Sequence, residues 1–180
     1  MKTYVMIPTY NERENIGNLI QEILNLKISD LRIVVVDDNS PDGTSVVVKD
    51  LSREHQEVEL LLRTTERGRG AAGIAGFKHA LEHGADCIIE MDADFSHHPK
   101  YIPSMLAAIQ NADMVIGSRF ISEGEDVNRG IMRKVITILA GIYVRVLLGL
   151  KIKDVSSGYR CFKRKVLEAI ELDSMISTGP

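Results

Sequence analysis

The chain has 180 residues, 44% of them hydrophobic and 26% charged, which fits one globular domain and excludes a disordered or fibrous protein. Its net charge of −3 conceals an asymmetry, because residues 129–167 hold ten Lys or Arg and one acidic residue, a net +9, whereas the remainder carries −12. Such a basic segment is expected to face phosphates, nucleic acid or a membrane surface. The acidic body and the 5% aromatic content count against nucleic acid.

Short apolar runs alternate with longer segments of helical periodicity along the chain. The apolar runs, rich in Val, Ile and Leu, predict strands over residues 3–8, 31–37, 58–63, 86–92 and 113–118. The first helix is predicted to begin at Asn11 with a capping box to Glu14, and further helices are predicted over residues 42–54, 70–83 and 99–110. This alternation predicts an α/β fold with a mostly parallel, doubly wound sheet.

The N-terminus and the two cysteines bear on the compartment. The first residues enter an apolar run without a basic leader, so we expect no secretory signal. Cys87 and Cys161 allow one disulfide at most, and Cys87 lies inside an apolar run. We therefore expect a buried thiol and a reducing, cytoplasmic compartment.

Acidic residues collect where two of the predicted strands end. Asp37 and Asp38 end the second strand, and Asp92 and Asp94 end the fourth. Ligands of such sheets bind at the carboxyl ends of the strands, and residues two apart in an extended chain point to one side. Carboxylates in this arrangement suit Mg²⁺ or Mn²⁺, although an ordinary polar turn or a helix cap also explains an Asp-x-Asp sequence.

The stretch after the third strand is rich in glycine. Residues 68–76 match neither the dinucleotide-binding fingerprint nor a P-loop. A helix that starts near Gly70, with Arg67 and Arg69 beside it, would still attract an anion.

The basic segment contains one amphipathic helical pattern. Arg133, Thr137, Gly141 and Arg145 recur at every fourth position, and the apolar run 135–150 has sixteen residues, fewer than the roughly 20 of a spanning helix. The pattern indicates a helix over residues 133–150 that either lies in a membrane interface or packs on the core of the same domain.

Five stretches, in this order, carry a resemblance that covers essentially the whole chain: PTYNERENI, VVVDDNSPDGT, MDADFSHHP, GSRF and SSGYRCF. The sequence resembles the family-2 glycosyltransferases of the GT-A fold, and within them the dolichol-phosphate (polyprenol-phosphate) mannosyltransferases. The resemblance implies inverting transfer of mannose from GDP-mannose to dolichyl or polyprenyl phosphate. It further implies a cytoplasmic enzyme held peripherally at the cytoplasmic face of a membrane.

The resemblance also implies roles for individual residues. Donor binding falls to Pro8, Tyr10, Glu12, Val36, Asp38, Asp92, Ala93, Asp94 and Arg119. The catalytic residues would be Asp92, Asp94 and Arg119, and the metal ligands Asp92, Asp94 and Ser96, where relatives often carry Gln in place of Ser96. Arg133 and Thr137 would hold the acceptor phosphate, which is anionic near neutral pH and needs no strong general base.

The expected organisation is a nucleotide-sugar-binding core over residues 1–127 and an acceptor-side part over residues 128–180. Relatives continue beyond this point, so a further C-terminal segment or a membrane-anchored subunit is an expected partner. Two alternatives stay open: a family-2 transferase that uses UDP-glucose, and a receiver-type signalling domain, in which the acidic pair would follow the first strand instead.

Overall fold

The computed structural model describes residues 1–65, 67–118, 154 and 157–175. Its strands are β1 Thr3–Thr9, β2 Leu31–Asp37, β3 Val58–Leu62, β4 Cys87–Glu90, β5 Met114–Ile116 and β6 Arg160–Lys163. Its helices are α1 Arg13–Asn25, α2 Thr44–Glu54, α3 Arg69–Glu82, α4 Ile102–Ala108 and α5 Arg164–Ala169. Short 3₁₀ turns cover Pro99–Tyr101, Ile109–Asn111 and Leu172–Ser174.

The described strands form one six-stranded sheet in the order β3-β2-β1-β4-β6-β5. β3, β2, β1 and β4 are parallel neighbours, and β6 runs antiparallel between β4 and β5. The predicted α/β class with a mostly parallel sheet is confirmed. The antiparallel strand β6 was not predicted, because four residues with charged ends and no β-branched side chain give little strand signal.

Each face of the sheet packs against its own layer of helices. Val5 and Ile7 of β1 contact the core beneath α1 and α4, whereas Tyr4 and Met6 contact the core beneath α3. This alternation follows from the two-residue period of a strand. The described helices thus cover both faces, and the loops at the carboxyl ends of the parallel strands meet along one edge.

The start of α1 differs from the prediction. The predicted capping box at Asn11 and Glu14 is wrong, since the helix begins at Arg13 and the preceding residue, Glu12, makes no side-chain capping bond. Asn11 instead has a φ of 60°, which places it outside the helix.

Side chains of the loop after β2 take over the capping role. Three successive amides donate to them: Asn11 N to Ser40 Oγ at 3.0 Å, Glu12 N to Thr44 Oγ1 at 2.9 Å, and Arg13 N to Asp42 Oδ2 at 3.0 Å. Asp42 also accepts a hydrogen bond at 2.9 Å from the amide of Thr44, which is the first residue of α2. The two loops that border the carboxyl edge of the sheet are thereby fixed to each other.

The predicted helix over residues 133–150 and the predicted boundary between residues 127 and 128 lie outside the described residues. Among the helices that are described, none has the length and hydropathy needed to cross a bilayer.

Candidate active site

A cavity of about 590 Å³ opens at the carboxyl ends of β1, β2 and β4. It is lined by Pro8, Thr9, Tyr10, Glu12, Asp38, Arg67, Gly68, Arg69, Ala72, Asp92, Ala93 and Asp94. The volume falls in the range of ligand-binding clefts, and its position is the one at which open α/β sheets bind ligands. This cavity is the candidate active site.

Most of the predicted site residues within the described ranges border this cavity. They are Pro8, Tyr10, Glu12, Asp38, Asp92, Ala93 and Asp94. Val36 does not border it, because its side chain is fully buried in the core beneath α3. Ser96 is exposed and donates its amide hydrogen to Asp94 Oδ1 at 3.0 Å. The binding and metal-ligating roles of these residues stay predictions, and Arg119, Arg133 and Thr137 lie outside the described residues.

The acidic pair after β2 is enclosed by local partners. Asp37 is fully buried and accepts from the Thr9 hydroxyl at 3.1 Å, the Ser40 amide at 2.9 Å and the Ser40 hydroxyl at 2.6 Å. It therefore shapes the loop after β2 and does not border the cavity.

Asp38 borders the cavity but is also tied to the loop before α3. Its carboxylate accepts from Arg63 Nη1 at 2.6 Å and from the Gly68 amide at 2.8 Å. The side chains of Asp38 and Arg63 are only 6% and 11% exposed. Gly68 has a φ of 125°, a conformation that favours glycine. Asp38 thus anchors the loop that presents Arg67 and Arg69 to the cavity.

The acidic pair after β4 is held more loosely. The Asp92 carboxylate forms an ion pair with Arg69, and the two side chains are 28% and 50% exposed. The Asp92 amide donates to His97 Nδ1 at 2.9 Å, which fixes the backbone of the loop. Partial burial would raise the pKa of Asp94, but hydrogen bonds from the Ser96 side chain and amide outweigh it and lower that pKa. The carboxylate of Asp94 is therefore ionised near neutral pH.

Residues at the start of β6 complete the wall behind Asp92. The ring of Tyr159 stacks on His97 with centroids 5.0 Å apart, and its hydroxyl donates to the His98 carbonyl at 3.2 Å. A Cβ on Gly158 would lie 2.7 Å from Nη2 of Arg69 and 3.3 Å from Cε1 of His97. The pairing of Glu90 with Arg160 in the β4–β6 register brings this segment to the end of β4.

His97, Gly158 and Tyr159 have no site role predicted from the sequence. His97 lies in the same stretch of sequence as Asp92 and Asp94. Gly158 and Tyr159 lie in SSGYRCF, and this stretch is placed beside β4 by strand β6, which was not predicted. Arg69 was expected to attract an anion, and its pairing with Asp92 was not foreseen. The signal for these residues is tertiary, because the partners are far apart in sequence.

The chemistry of the carboxylates fits a divalent cation. Within the described residues, no group of three His, Cys, Asp or Glu side chains is placed to hold a metal ion. Mg²⁺ and Mn²⁺ need no such group, because they commonly take one or two carboxylates and complete their shell with water and substrate phosphates. Asp92 and Asp94 border one cavity, so their positions agree with an ion that binds together with a diphosphate.

Residues 4–171 match the sequence profile of glycosyl transferase family 2. The chain belongs to this family. The match excludes the receiver-type signalling domain, and it confirms the expected enzyme class.

Three curated relatives are each 41% identical to this family-2 chain. They are an undecaprenyl-phosphate mannosyltransferase of Micrococcus luteus over 179 residues, a polyprenol monophosphomannose synthase of Mycolicibacterium smegmatis over 180 residues, and a dolichol-phosphate mannosyltransferase of Pyrococcus furiosus over 178 residues. The alignments cover 99%, 99% and 96% of this chain, and 73%, 68% and 49% of the three relatives. The chain therefore spans half to three quarters of the length of these mannosyltransferases.

Solved structures share the fold at low sequence identity. Glucosyl-3-phosphoglycerate synthase from Mycobacterium tuberculosis, in complex with Mn²⁺, UDP-glucose and phosphoglyceric acid, superposes with a TM-score of 0.70 at 17% identity, over 94% of this chain and 59% of that one. A mannosyltransferase from Pyrobaculum calidifontis, in complex with GDP-mannose and Mn²⁺, gives a TM-score of 0.61 at 22% identity, over 93% and 46%. These likenesses confirm the expected GT-A glycosyltransferase fold.

Proposed function

We propose that the chain transfers mannose from GDP-mannose to dolichyl phosphate or another polyprenyl phosphate, with inversion at the anomeric carbon and with Mg²⁺ or Mn²⁺. The observation that carries the proposal is the cavity that gathers Tyr10, Asp38, Asp92 and Asp94 at one edge of the sheet. It occurs in a family-2 chain that is 41% identical to three enzymes named for mannose and a polyisoprenoid phosphate.

The donor nucleotide is assigned to the β1 and β2 side of the cavity. Tyr10 is 51% exposed at the cavity wall, where its ring is available to a nucleobase. The Asp38 carboxylate, a hydrogen-bond acceptor, borders the same cavity, as do Pro8 and Glu12. The diphosphate lies toward Arg67 and Arg69. The positive charges of these two side chains, together with the amino end of α3, attract an anion.

The reaction requires little from protein acids and bases. A phosphate oxygen of the acceptor bonds to the anomeric carbon of mannose on one face while the bond to the GDP oxygen breaks on the other. Asp92 and Asp94 hold the divalent ion, which when bound neutralises charge on the departing diphosphate. Because the acceptor phosphate is already anionic, the chain has to position it and does not have to deprotonate it.

The acceptor is assigned to the basic segment. Arg133 and Thr137 are the proposed contacts of the acceptor phosphate, and Arg119 is the proposed contact of the donor diphosphate; all three lie outside the described residues. Peripheral association with the cytoplasmic face of a membrane is part of the same proposal.

A second donor stays in view because of one comparison. The structural likeness to a synthase solved with UDP-glucose and Mn²⁺ has the TM-score of 0.70. UDP-glucose with a polyprenyl phosphate acceptor is therefore the alternative substrate pair.

The test is a transfer assay with vesicles that contain a polyprenyl phosphate. The protein is given Mn²⁺ and either GDP-mannose or UDP-glucose, and the lipid product is weighed by mass spectrometry. We expect a mannosyl phospholipid from GDP-mannose, and its loss in Asp94→Ala but not in Asp50→Asn, an exposed residue of α2. A glucosyl product would show that UDP-glucose is the donor instead. Absence of a product with both donors would contradict the proposed activity.

A further inference from the structure

The carboxylates after β4 are held beside a cation that belongs to the protein itself. Asp92 and Asp94 follow the end of β4 two residues apart, and both border the cavity. Arg69, the first residue of α3, brings its guanidinium to the Asp92 carboxylate. The same carboxylate is the proposed ligand of the divalent ion, so Arg69 and the ion approach one group.

The protein provides space for this guanidinium. Gly158 packs against it so closely that a Cβ there would lie 2.7 Å from Nη2 of Arg69, and 3.7 Å from Oδ2 of Asp92. The lack of a side chain at Gly158 therefore permits the ion pair in its observed position.

The ion pair is also exposed enough to exchange. The side chain of Arg69 is 50% exposed and that of Asp92 is 28% exposed, so water and ions reach both groups. Pairs of this kind are weak, because solvent screens them and a long side chain loses freedom in forming them. By contrast, the Arg63–Asp38 pair on the other side of the cavity is only 11% and 6% exposed.

We propose that Arg69 is an exchangeable internal counter-ion of Asp92: it occupies the carboxylate while the divalent ion is absent, and it releases the carboxylate when the ion binds. The released guanidinium then faces the space in which a diphosphate is bound. Arg69 is thus a positioning residue that holds the Asp92 carboxylate in place between reaction cycles. The proposal rests on the proposed function only in placing the ion at Asp92.

Exchange predicts that loss of Arg69 strengthens metal binding in the absence of nucleotide. Mn²⁺ binding to the whole chain is followed by electron paramagnetic resonance, without nucleotide and then with GDP. For Arg69→Gln we expect Mn²⁺ to bind about three- to tenfold more tightly than to wild type without nucleotide, since a competing cation has been removed. The Arg69→Lys variant, which keeps a competing charge, should bind Mn²⁺ close to the wild-type affinity.

Arg67→Gln is the matched control. Arg67 borders the same cavity two residues earlier and carries the same charge, but the ion pair to Asp92 is formed by Arg69. Its replacement removes the same net charge, so in the measurement without nucleotide it reports the general electrostatic effect. We expect a change of less than about twofold, because the charge is screened by solvent.

Gly158→Ala tests the same idea without altering a charge. The new methyl group displaces the far end of the Arg69 side chain, which is flexible, so Mn²⁺ binding should again become tighter than in wild type. Circular dichroism checks that each variant is folded.

Three results would overturn the proposal. They are Mn²⁺ binding that is unchanged or weaker in Arg69→Gln relative to Arg67→Gln, a Gly158→Ala variant that binds Mn²⁺ no more tightly than wild type, and no Mn²⁺ binding by any of these proteins without nucleotide. GDP-dependent Mn²⁺ binding in the same samples would leave the proposed function standing in each case. Absence of Mn²⁺ binding even with GDP would instead count against the proposed function.

Discussion

Two acidic pairs follow parallel strands at the same edge of this sheet, and they are built differently. The pair after β2 is satisfied by the chain itself: Asp37 accepts three hydrogen bonds from Thr9 and Ser40, and Asp38 is held by Arg63 and Gly68. The pair after β4 relies on exposed partners, since Asp92 pairs with the half-exposed Arg69 and Asp94 accepts from the exposed Ser96. Similar sequence patterns therefore serve as scaffold in one place and as an exchangeable site in the other.

The largest effect is expected at the scaffold pair. Asp37→Ala removes a fully buried carboxylate and leaves the hydroxyl and the amide of Ser40 without their acceptor, while the Thr9 hydroxyl keeps only its longer contact with the Val36 carbonyl at 3.4 Å. We expect the free energy of unfolding to fall by about 3 kcal/mol. Urea denaturation measures it.

Asp92→Ala provides the contrast to this prediction. Its side chain is partly exposed and its partner Arg69 can hydrate, so the free energy of unfolding should change by less than about 1 kcal/mol. Equal losses in the two variants would break the distinction between scaffold and site.

Breaking the second scaffold contact should cost less. Arg63→Met removes the cation from Asp38, which keeps its hydrogen bond from the Gly68 amide and borders the cavity. We expect the free energy of unfolding to fall by about 2 kcal/mol, since a buried carboxylate loses its ion-pair partner but keeps one hydrogen bond. The loop of Gly68 should also become more susceptible to proteolysis, as judged against wild type by limited digestion. Unchanged stability together with unchanged digestion would show that Asp38 does not anchor this loop.

A smaller effect is expected where the two loops cap each other's helices. Asp42 accepts from the Arg13 and Thr44 amides, so Asp42→Ala should lower the free energy of unfolding by about 1 kcal/mol near neutral pH. Although its slight burial acts to raise the pKa of Asp42, the hydrogen bonds from Thr44 and Arg13 lower it below the ordinary value of 3.8.

The pH dependence of this effect has a definite sign. Because the folded-state pKa is depressed, the contribution of Asp42 is fully present above the unfolded-state value and is lost as the pH falls through the folded-state value. The difference between wild type and Asp42→Ala should therefore shrink at acidic pH. A stability difference between wild type and Asp42→Ala that does not shrink as the pH falls through this range would contradict the account.

The least perturbing test concerns the strands beneath Asp92. Cys87 of β4 and Cys161 of β6 are free and fully buried, with their sulfur atoms 3.1 Å apart. Both thiols should resist a thiol reagent such as dithiobisnitrobenzoate in the native protein and react once urea unfolds it. Rapid native reaction of either thiol would show that the β4–β6 contact opens readily, in contrast to the closed scaffold at β2.

Local patterns predicted the parts of the fold that local physics decides. β1 and β2 are central parallel strands, buried on both faces, and their apolar runs marked their positions closely. The burial of Cys87 followed from its apolar neighbours and is confirmed.

Features that depend on distant partners were missed. The caps of α1 come from Ser40, Asp42 and Thr44, about 30 residues away, so no spacing near Asn11 reveals them. The ion pair of Arg69 with Asp92 was missed for the same reason. So was the position of Gly158 beside Arg69, which depends on the antiparallel pairing of β6 with β4.

The most direct test of the account is calorimetry of GDP-mannose and UDP-glucose binding, with Mn²⁺ and with a chelator, to wild type and to Asp94→Ala. Binding needs fewer groups than turnover does, so it reports on the cavity itself. We predict that GDP-mannose binds only with Mn²⁺ and that Asp94→Ala abolishes this binding. Binding that is equal with Mn²⁺ and chelator, or unaffected in Asp94→Ala, would contradict the claim that the carboxylates after β4 hold the donor through a divalent ion.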